Sequence, residues 1–182
     1  MKAIGTIAWW GLIAAGVVGV PGLPHGGEAL PRGRRASEVK SEHWFNSAPL
    51  ARADLRGKIQ LVEFWTFRCI NCVRTVPAMR NLSERFPAGD VVVIGVHTPE
   101  LDEERDPRRV GEALRRLGVR FPVAMDNDHA VWRAFGNRYW PALYLVDKRG
   151  VIRHTHIGEL HEGTLEWRVL LERIDALRRE PA

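Results

Sequence analysis

The run Val91-Val92-Val93-Ile94-Gly95-Val96 is the feature that most narrows the folds open to this chain. It contains no polar side chain and is almost entirely β-branched, so it has no face to offer to water. That is the pattern of a central parallel strand covered on both sides. Parallel neighbours are joined by crossovers, normally helical. Lys58-Ile59-Gln60-Leu61-Val62-Glu63-Phe64-Trp65 reads as a second buried strand, bounded behind by Arg56-Gly57. A helical pattern then passes through Val73, Val76, Met79, Leu82 and Phe86 and stops near Pro87-Ala88-Gly89. Pro77 lies inside it and is expected to kink it.

Further along, a helix is expected over 107–117, a short strand within 119–125, and a brief helix around Val131, Trp132 and Phe135. Residues 142–146 and 151–157 read as a hairpin turning at Asp147-Lys148-Arg149-Gly150. An amphipathic helix over 162–177 closes the chain. The order β, α, β, α, short β, α, β, β, α specifies an α/β domain, a mixed central sheet flanked by helices on both faces.

No charged residue occurs between positions 3 and 23, and Lys2 precedes that run. Residues 1–24 therefore read as a signal peptide or a membrane anchor, with membrane contact through 3–23. Arg32, Arg34, Arg35 and Lys40 follow the run, the reverse of the positive-inside tendency for an outward-facing domain. Export is still preferred, because an uninterrupted apolar terminus without a polar face does not suit a buried core helix. Residues 25–39 are rich in Gly, Pro and Arg and read as a flexible linker, leaving 40–182 as the domain. The net charge is +5, but the arginines sit beside acids, as in Asp102-Glu103-Glu104-Arg105-Asp106. With no basic stripe, a nucleic-acid partner is not expected.

Cys69 and Cys72 are the only cysteines, in Cys69-Ile70-Asn71-Cys72, where a strand ends and a helix begins. Free N–H groups and the helix dipole stabilise an anion there. Cys69 is expected to be the exposed attacking thiolate, and Cys72, one turn in, the buried resolving thiol. Their spacing lets the sulfurs close a disulfide reversibly. Arg68 and Arg74 flank the pair and add positive potential. A structural disulfide would restrict the unfolded chain little across so short a span. A zinc site would need two more ligands, and nothing brings His154 and His156 to the cysteines. A redox dithiol is the preferred reading, with no metal and the Cys69–Cys72 disulfide as its only redox group. Two others stay open. Thr66, three residues before Cys69, suits a thiol peroxidase. The two thiols with His97 suit a non-enzymatic copper-handling or assembly protein.

The block Leu61-Val62-Glu63-Phe64-Trp65-Thr66-Phe67-Arg68-Cys69-Ile70-Asn71-Cys72-Val73-Arg74-Thr75-Val76-Pro77 resembles the active-site segment of thioredoxin-fold proteins. It is most similar to the TlpA/ResA-type extracytoplasmic branch, and especially to the thioredoxin-like domain of DipZ-type proteins. Gly95-Val96-His97-Thr98-Pro99-Glu100 and Asn137-Arg138-Tyr139-Trp140-Pro141-Ala142-Leu143-Tyr144-Leu145-Val146-Asp147 extend the likeness, which covers roughly residues 40–178.

The resemblance implies a thioredoxin fold and a periplasmic or otherwise extracytoplasmic thiol–disulfide oxidoreductase. It would reduce protein disulfides, with cytochrome c maturation as one outlet. Pro141 matches the cis-proline that lies against the dithiol, and Trp140-Pro141 would present an unpaired backbone edge to substrate. Glu63 matches the buried acid beneath the cysteines, its pKa raised by burial, which relays the proton of Cys72. Trp65 would cover the site, and Arg68 joins Trp65, Trp140 and Pro141 as a substrate-binding residue. His97 ends a central strand near the edge where α/β sites form and is read as structural rather than catalytic. His129, Trp132 and Phe135 read as helix and core residues. DipZ-type proteins join this domain to a multi-helix membrane part; with one apolar segment here, electrons are expected from a membrane thiol donor of another chain. The helix end and Arg68 favour the reduced dithiol, Glu63 opposes them, and the resemblance tips the direction toward a reductant.

Overall fold

The computed structural model describes residues 32–182. The expected apolar segment over 3–23 and the first part of the expected linker lie outside these residues. Among the described residues, no helix is long and apolar enough to cross a membrane. The strands are β1 Trp44–Phe45, β2 Ile59–Trp65, β3 Val91–His97, β4 Val123–Met125, β5 Ala142–Val146 and β6 Ile152–Ile157. They form one sheet in the order β1-β4-β3-β2-β5-β6. β2, β3 and β4 are parallel, whereas β5 pairs antiparallel with β2, β6 with β5, and β1 with β4. The β-branched run is thus an inner strand with a neighbour on each side. β1 has no counterpart in the sequence reading, since two residues carry no period.

The helices are α1 Ile70–Arg85, α2 Pro107–Leu117, α3 Ala130–Phe135 and α4 Leu165–Arg179, with a 3-10 turn at Asp102–Arg105. One face of the sheet packs Leu61, Trp65 and Val93 beneath Met79 and Leu82 of α1, Val110 of α2, and Leu170 and Ile174 of α4. The other face packs Val62, Phe64, Ile94, Val96 and Tyr144 against Val131 and Phe135 of α3. There Phe64 meets Trp132, Phe135 and Tyr144 edge-on, the arrangement aromatic quadrupoles favour. α1 continues through Pro77, which is exposed. α4 starts later than the sequence suggests because the Thr164 hydroxyl accepts the Trp167 N–H at 3.2 Å and caps it there.

The flexible linker over 25–39 is corrected where it enters the described residues. The Gly33 N–H donates to the Ile152 carbonyl and the Ala36 N–H to the Gly150 carbonyl, both at 2.8 Å, and Arg35 forms an antiparallel bridge with Val151. Ala36 and Val39 are buried in the second-face core. Gly, Pro and Arg give this stretch no period. From Gly33 to Val39 the chain is held by these bonds and by burial of Ala36 and Val39 on the face that α3, at six residues, covers only in part.

The parallel strands β2, β3 and β4 end at Trp65, His97 and Met125 along one edge of the sheet, and β5 begins there with Ala142 opposite Phe64. Both cysteines and the expected proline loop are delivered to this edge.

Candidate active site

Cys69 is the N-cap of α1, and its sulfur accepts the Cys72 N–H at 3.4 Å. A helix start leaves its first N–H groups without intrahelical partners, so the sulfur takes a position a capping oxygen ordinarily fills. Cys69 is half-buried and Cys72 wholly buried, and both are free thiols. Burial pushes the Cys72 thiol far above the ordinary cysteine range. A hydrogen bond with the Cys69 side chain adds to this, and a backbone hydrogen bond from Thr66 works against it. The two sulfurs are therefore unequal: one reaches solvent at a helix start, the other is held neutral behind it.

Glu63 lies on the α1 face of β2, the same face as Leu61 and Trp65, with Val62 and Phe64 on the other. It is 1% exposed, and neither carboxylate oxygen has a hydrogen-bond partner. Burial pushes its pKa up to about 8. Its charge reaches Cys72, whose thiol it raises further. Glu63 therefore does not face solvent. Trp65, expected to cover the site against substrate, is corrected: at 1% exposure it is part of the core beneath the cysteines and presents no surface to a partner. Its indole Nε1 lies over Gly95, where an added Cβ would sit 2.9 Å away.

The Trp140-Pro141 peptide bond is cis. Phe67, Cys69 and Trp140 pack against one core cluster, so this loop and the dithiol share the sheet edge. The unpaired edge expected of Trp140-Pro141 is only partly available, because the Pro141 carbonyl accepts the Gly158 N–H at 3.0 Å. Trp140 is fixed from two sides. Its Nε1–H donates to the Thr98 carbonyl at 3.1 Å, and its ring lies against Trp132 with centroids 4.1 Å apart. Trp132, a half-buried residue of α3 packed against the second-face core as the sequence suggests, is thus also a wall of the proline loop. Its own N–H, with that of Val131, is held by buried Asp126, which also takes the Thr98 hydroxyl. Asp126 and Thr98 escaped the sequence reading; an Asp shortly before a helix was the signal available for the first.

The two arginines that flank the cysteines are each engaged by an acid, and Glu103 is shared with Arg109 at 3.6 Å. Arg68 pairs with Glu103, and Arg74 with Glu159 at 3.3 Å. His97 is wholly buried, stacked on Phe67 and edge-on to Trp65, and burial lowers its pKa to about 4. Its Nε2 lies 3.3 Å from the Thr66 hydroxyl, which donates to Glu104. The hydroxyl proposed to polarise a peroxide is therefore spent inside the protein. Cys69, Cys72 and His97 do not form a metal-holding cluster, and no three His, Cys, Asp or Glu do among the described residues. His154 and His156 lie on β6, opposite Leu145 and Leu143 of β5, with β5 standing between them and β2. Glu104 was missed by the sequence reading. Its position three residues after Leu101, where a glutamate can cap backward onto a turn, was the one available signal.

A mixed sheet with a Cys-X-X-Cys at the start of its first helix and a cis-proline loop beside it defines a thioredoxin-like protein. The chain belongs to the AhpC/TSA family, whose model matches residues 33–155. It is 41% identical over 119 residues to Protein DipZ of Mycobacterium tuberculosis, covering 64% of this chain but only 17% of DipZ. It is 31% identical over 133 residues to the thiol-disulfide oxidoreductase YkuV of Bacillus subtilis, covering 72% of this chain and 89% of YkuV. Among solved structures, a thioredoxin-like superfamily protein superposes with a TM-score of 0.74 at 32% identity, over 81% of this chain and 98% of its own. A thiol-disulfide isomerase from Corynebacterium glutamicum superposes at 0.68 with 26% identity, over 80% and 97%.

Proposed function

We propose that the chain reduces disulfides in protein substrates, with Cys69 as nucleophile and Cys72 as resolving thiol. The observation that carries this is their inequality: Cys69 is half-exposed at the α1 N-cap, and Cys72 is buried behind it with a raised pKa. The Cys69 thiolate attacks one sulfur of a substrate disulfide. That S–S bond breaks, its other sulfur leaves as a thiolate and takes a proton, and a mixed disulfide remains. Glu63, in the ionised form it takes up as pH approaches its raised pKa of about 8, then accepts the proton of Cys72. The resulting thiolate attacks Cys69 Sγ, releasing the second substrate thiol and leaving the Cys69–Cys72 disulfide. This disulfide is the redox group of the cycle; a dithiol donor on another, membrane-borne chain supplies the two electrons that reopen it. Substrate chain is received beside Trp140-Pro141, Arg68, and the apolar side chains of Ile70 and Tyr139, which are 60% and 50% exposed.

The direction follows from charge. The helix start favours a thiolate at Cys69 alone. Burial and Glu63 keep Cys72 protonated, and Arg68 and Arg74 are already engaged by Glu103 and Glu159, so the reduced pair as a whole gains little. A dithiol not stabilised in its reduced form is a reductant. An exported chain, held by the apolar segment 3–23, fits that role, with cytochrome c maturation or disulfide repair as outlets. Two measurements decide it. Cys72→Ser is expected to trap a mixed disulfide with substrate while Cys69→Ser traps none. The reduction potential is expected nearer the roughly −270 mV of thioredoxin than the roughly −120 mV of the oxidant DsbA. A value at the oxidising end would refute the assignment.

A further inference from the structure

Glu104 takes no part in the electron or proton transfers above, yet its carboxylate is wholly buried beside them. Oε1 accepts the Thr66 hydroxyl and, at 3.2 Å, the Arg68 backbone N–H. Oε2 accepts the backbone N–H groups of Glu100 and Leu101, each at 2.8 Å. A buried carboxylate stays charged only when donors of this kind surround it. Burial alone would raise its pKa, but the bonds from Thr66, Leu101, Glu100 and Arg68 bring it below the ordinary glutamate range.

The two donors on Oε1 belong to residues 66 and 68, within three positions of Cys69. The two on Oε2 belong to the segment that follows β3. One carboxylate thus ties the loop that delivers the nucleophile to a separate part of the chain. Glu103 of the same 3-10 turn grips the Arg68 guanidinium, so Arg68 is held at both backbone and side chain. His97 extends the tie. Since Thr66 gives its proton to Glu104, its oxygen can only accept, which assigns the neutral His97 as the Nε2–H tautomer.

We propose that Glu104 is a positioning residue for thiol–disulfide exchange, fixing the backbone of residues 66–68 so that Cys69 Sγ meets a protein disulfide along one line of approach. The inference rests on the exchange reaction proposed above. Glu104 touches no reacting atom and acts through Thr66 and Arg68. Orientation of this kind matters for a folded substrate, whose disulfide can be reached from few directions, and little for a small reagent that diffuses to the sulfur from any side.

The test compares wild type, Cys69→Ser, Glu104→Gln and Glu104→Ala, all as the full chain, with insulin as the disulfide substrate and iodoacetamide as the small reagent. Gln keeps the shape but has one acceptor oxygen, so one pair of donors meets an amide N–H₂ instead. Insulin reduction is expected to fall about 10-fold or more in both Glu104 variants, while alkylation of Cys69 changes less than about 2-fold. Exchange of the Arg68 amide hydrogen is expected to accelerate. A folded Glu104→Gln that reduces insulin within about 2-fold of wild type overturns the proposal, as do equal losses toward both reagents. If neither Glu104 variant folds, Thr66→Val removes one donor and should give the same split in milder form; no split overturns the proposal. Wild type no faster than Cys69→Ser would instead refute the reductase reading itself, and this inference with it.

Discussion

Glu63 and His97 are buried titratable groups on neighbouring strands whose protons respond to folding in opposite ways. Burial moves Glu63 from 4.5 to about 8, so the folded protein keeps a proton that the unfolded chain has lost. Its stabilising contribution is complete below pH 4.5 and is lost as pH rises toward 8. Burial moves His97 from 6.5 to about 4, against the charge of Glu104, so the folded protein keeps it neutral where the unfolded chain is protonated. That contribution is present above pH 6.5 and is lost as pH falls toward 4. The two slopes oppose one another in weak acid, leaving Glu63 to dominate between about pH 6.5 and 8. Urea midpoints of the wild type are expected to fall across that window and those of Glu63→Gln to stay level; parallel curves would show that Glu63 is not held neutral by the fold. Disulfide turnover in the same variant is expected to drop about 100-fold, the scale of a lost proton relay.

β3 shows how one missing side chain shapes an element. Gly95 pairs with Glu63 across the parallel ladder, and the Trp65 indole occupies the space above it. A Cβ at Gly95 would stand 2.9 Å from Trp65 Nε1, 3.2 Å from Val123 and 3.3 Å from Phe121, all inside a closed core. Gly95→Ala adds a residue that extended backbone tolerates, yet it is expected to destabilise by about 1–3 kcal/mol because the indole has nowhere to move. Equilibrium unfolding checks this, and a variant as stable as the parent would mean Trp65 can shift freely. Most elements were legible from local pattern. The helix expected over 107–117 is α2, and the hairpin over 142–157 is β5 and β6. What escaped was short or irregular: β1, whose two residues are held by pairing with β4, and the 3-10 turn, whose glutamate is held by partners 38 and 36 residues earlier in the chain.

At the scale of the whole molecule, both the entry of the chain into the domain and the charge around the dithiol are tertiary facts. Arg34 donates to the Ala134 carbonyl at 3.0 Å and Arg35 to the Arg149 carbonyl at 3.2 Å. Two of the basic residues that follow the apolar segment are therefore part of the folded domain. A reporter active only outside the cytoplasm, joined after Ala182, is expected to be active; a silent fusion would remove the export reading. The arginines beside the cysteines are likewise paired with acids from distant segments.

By itself the sequence determined the order of the elements and the identity of the dithiol, because periodicity and a cysteine pair at a strand-to-helix junction are local properties. Only the tertiary structure decided that Glu63 is buried and unpaired, that Trp65 lies under the site while Trp132 walls its proline loop, and that Glu104 grips the approach to Cys69. Each depends on which residues, far apart in the chain, meet at one sheet edge, and no local period records that.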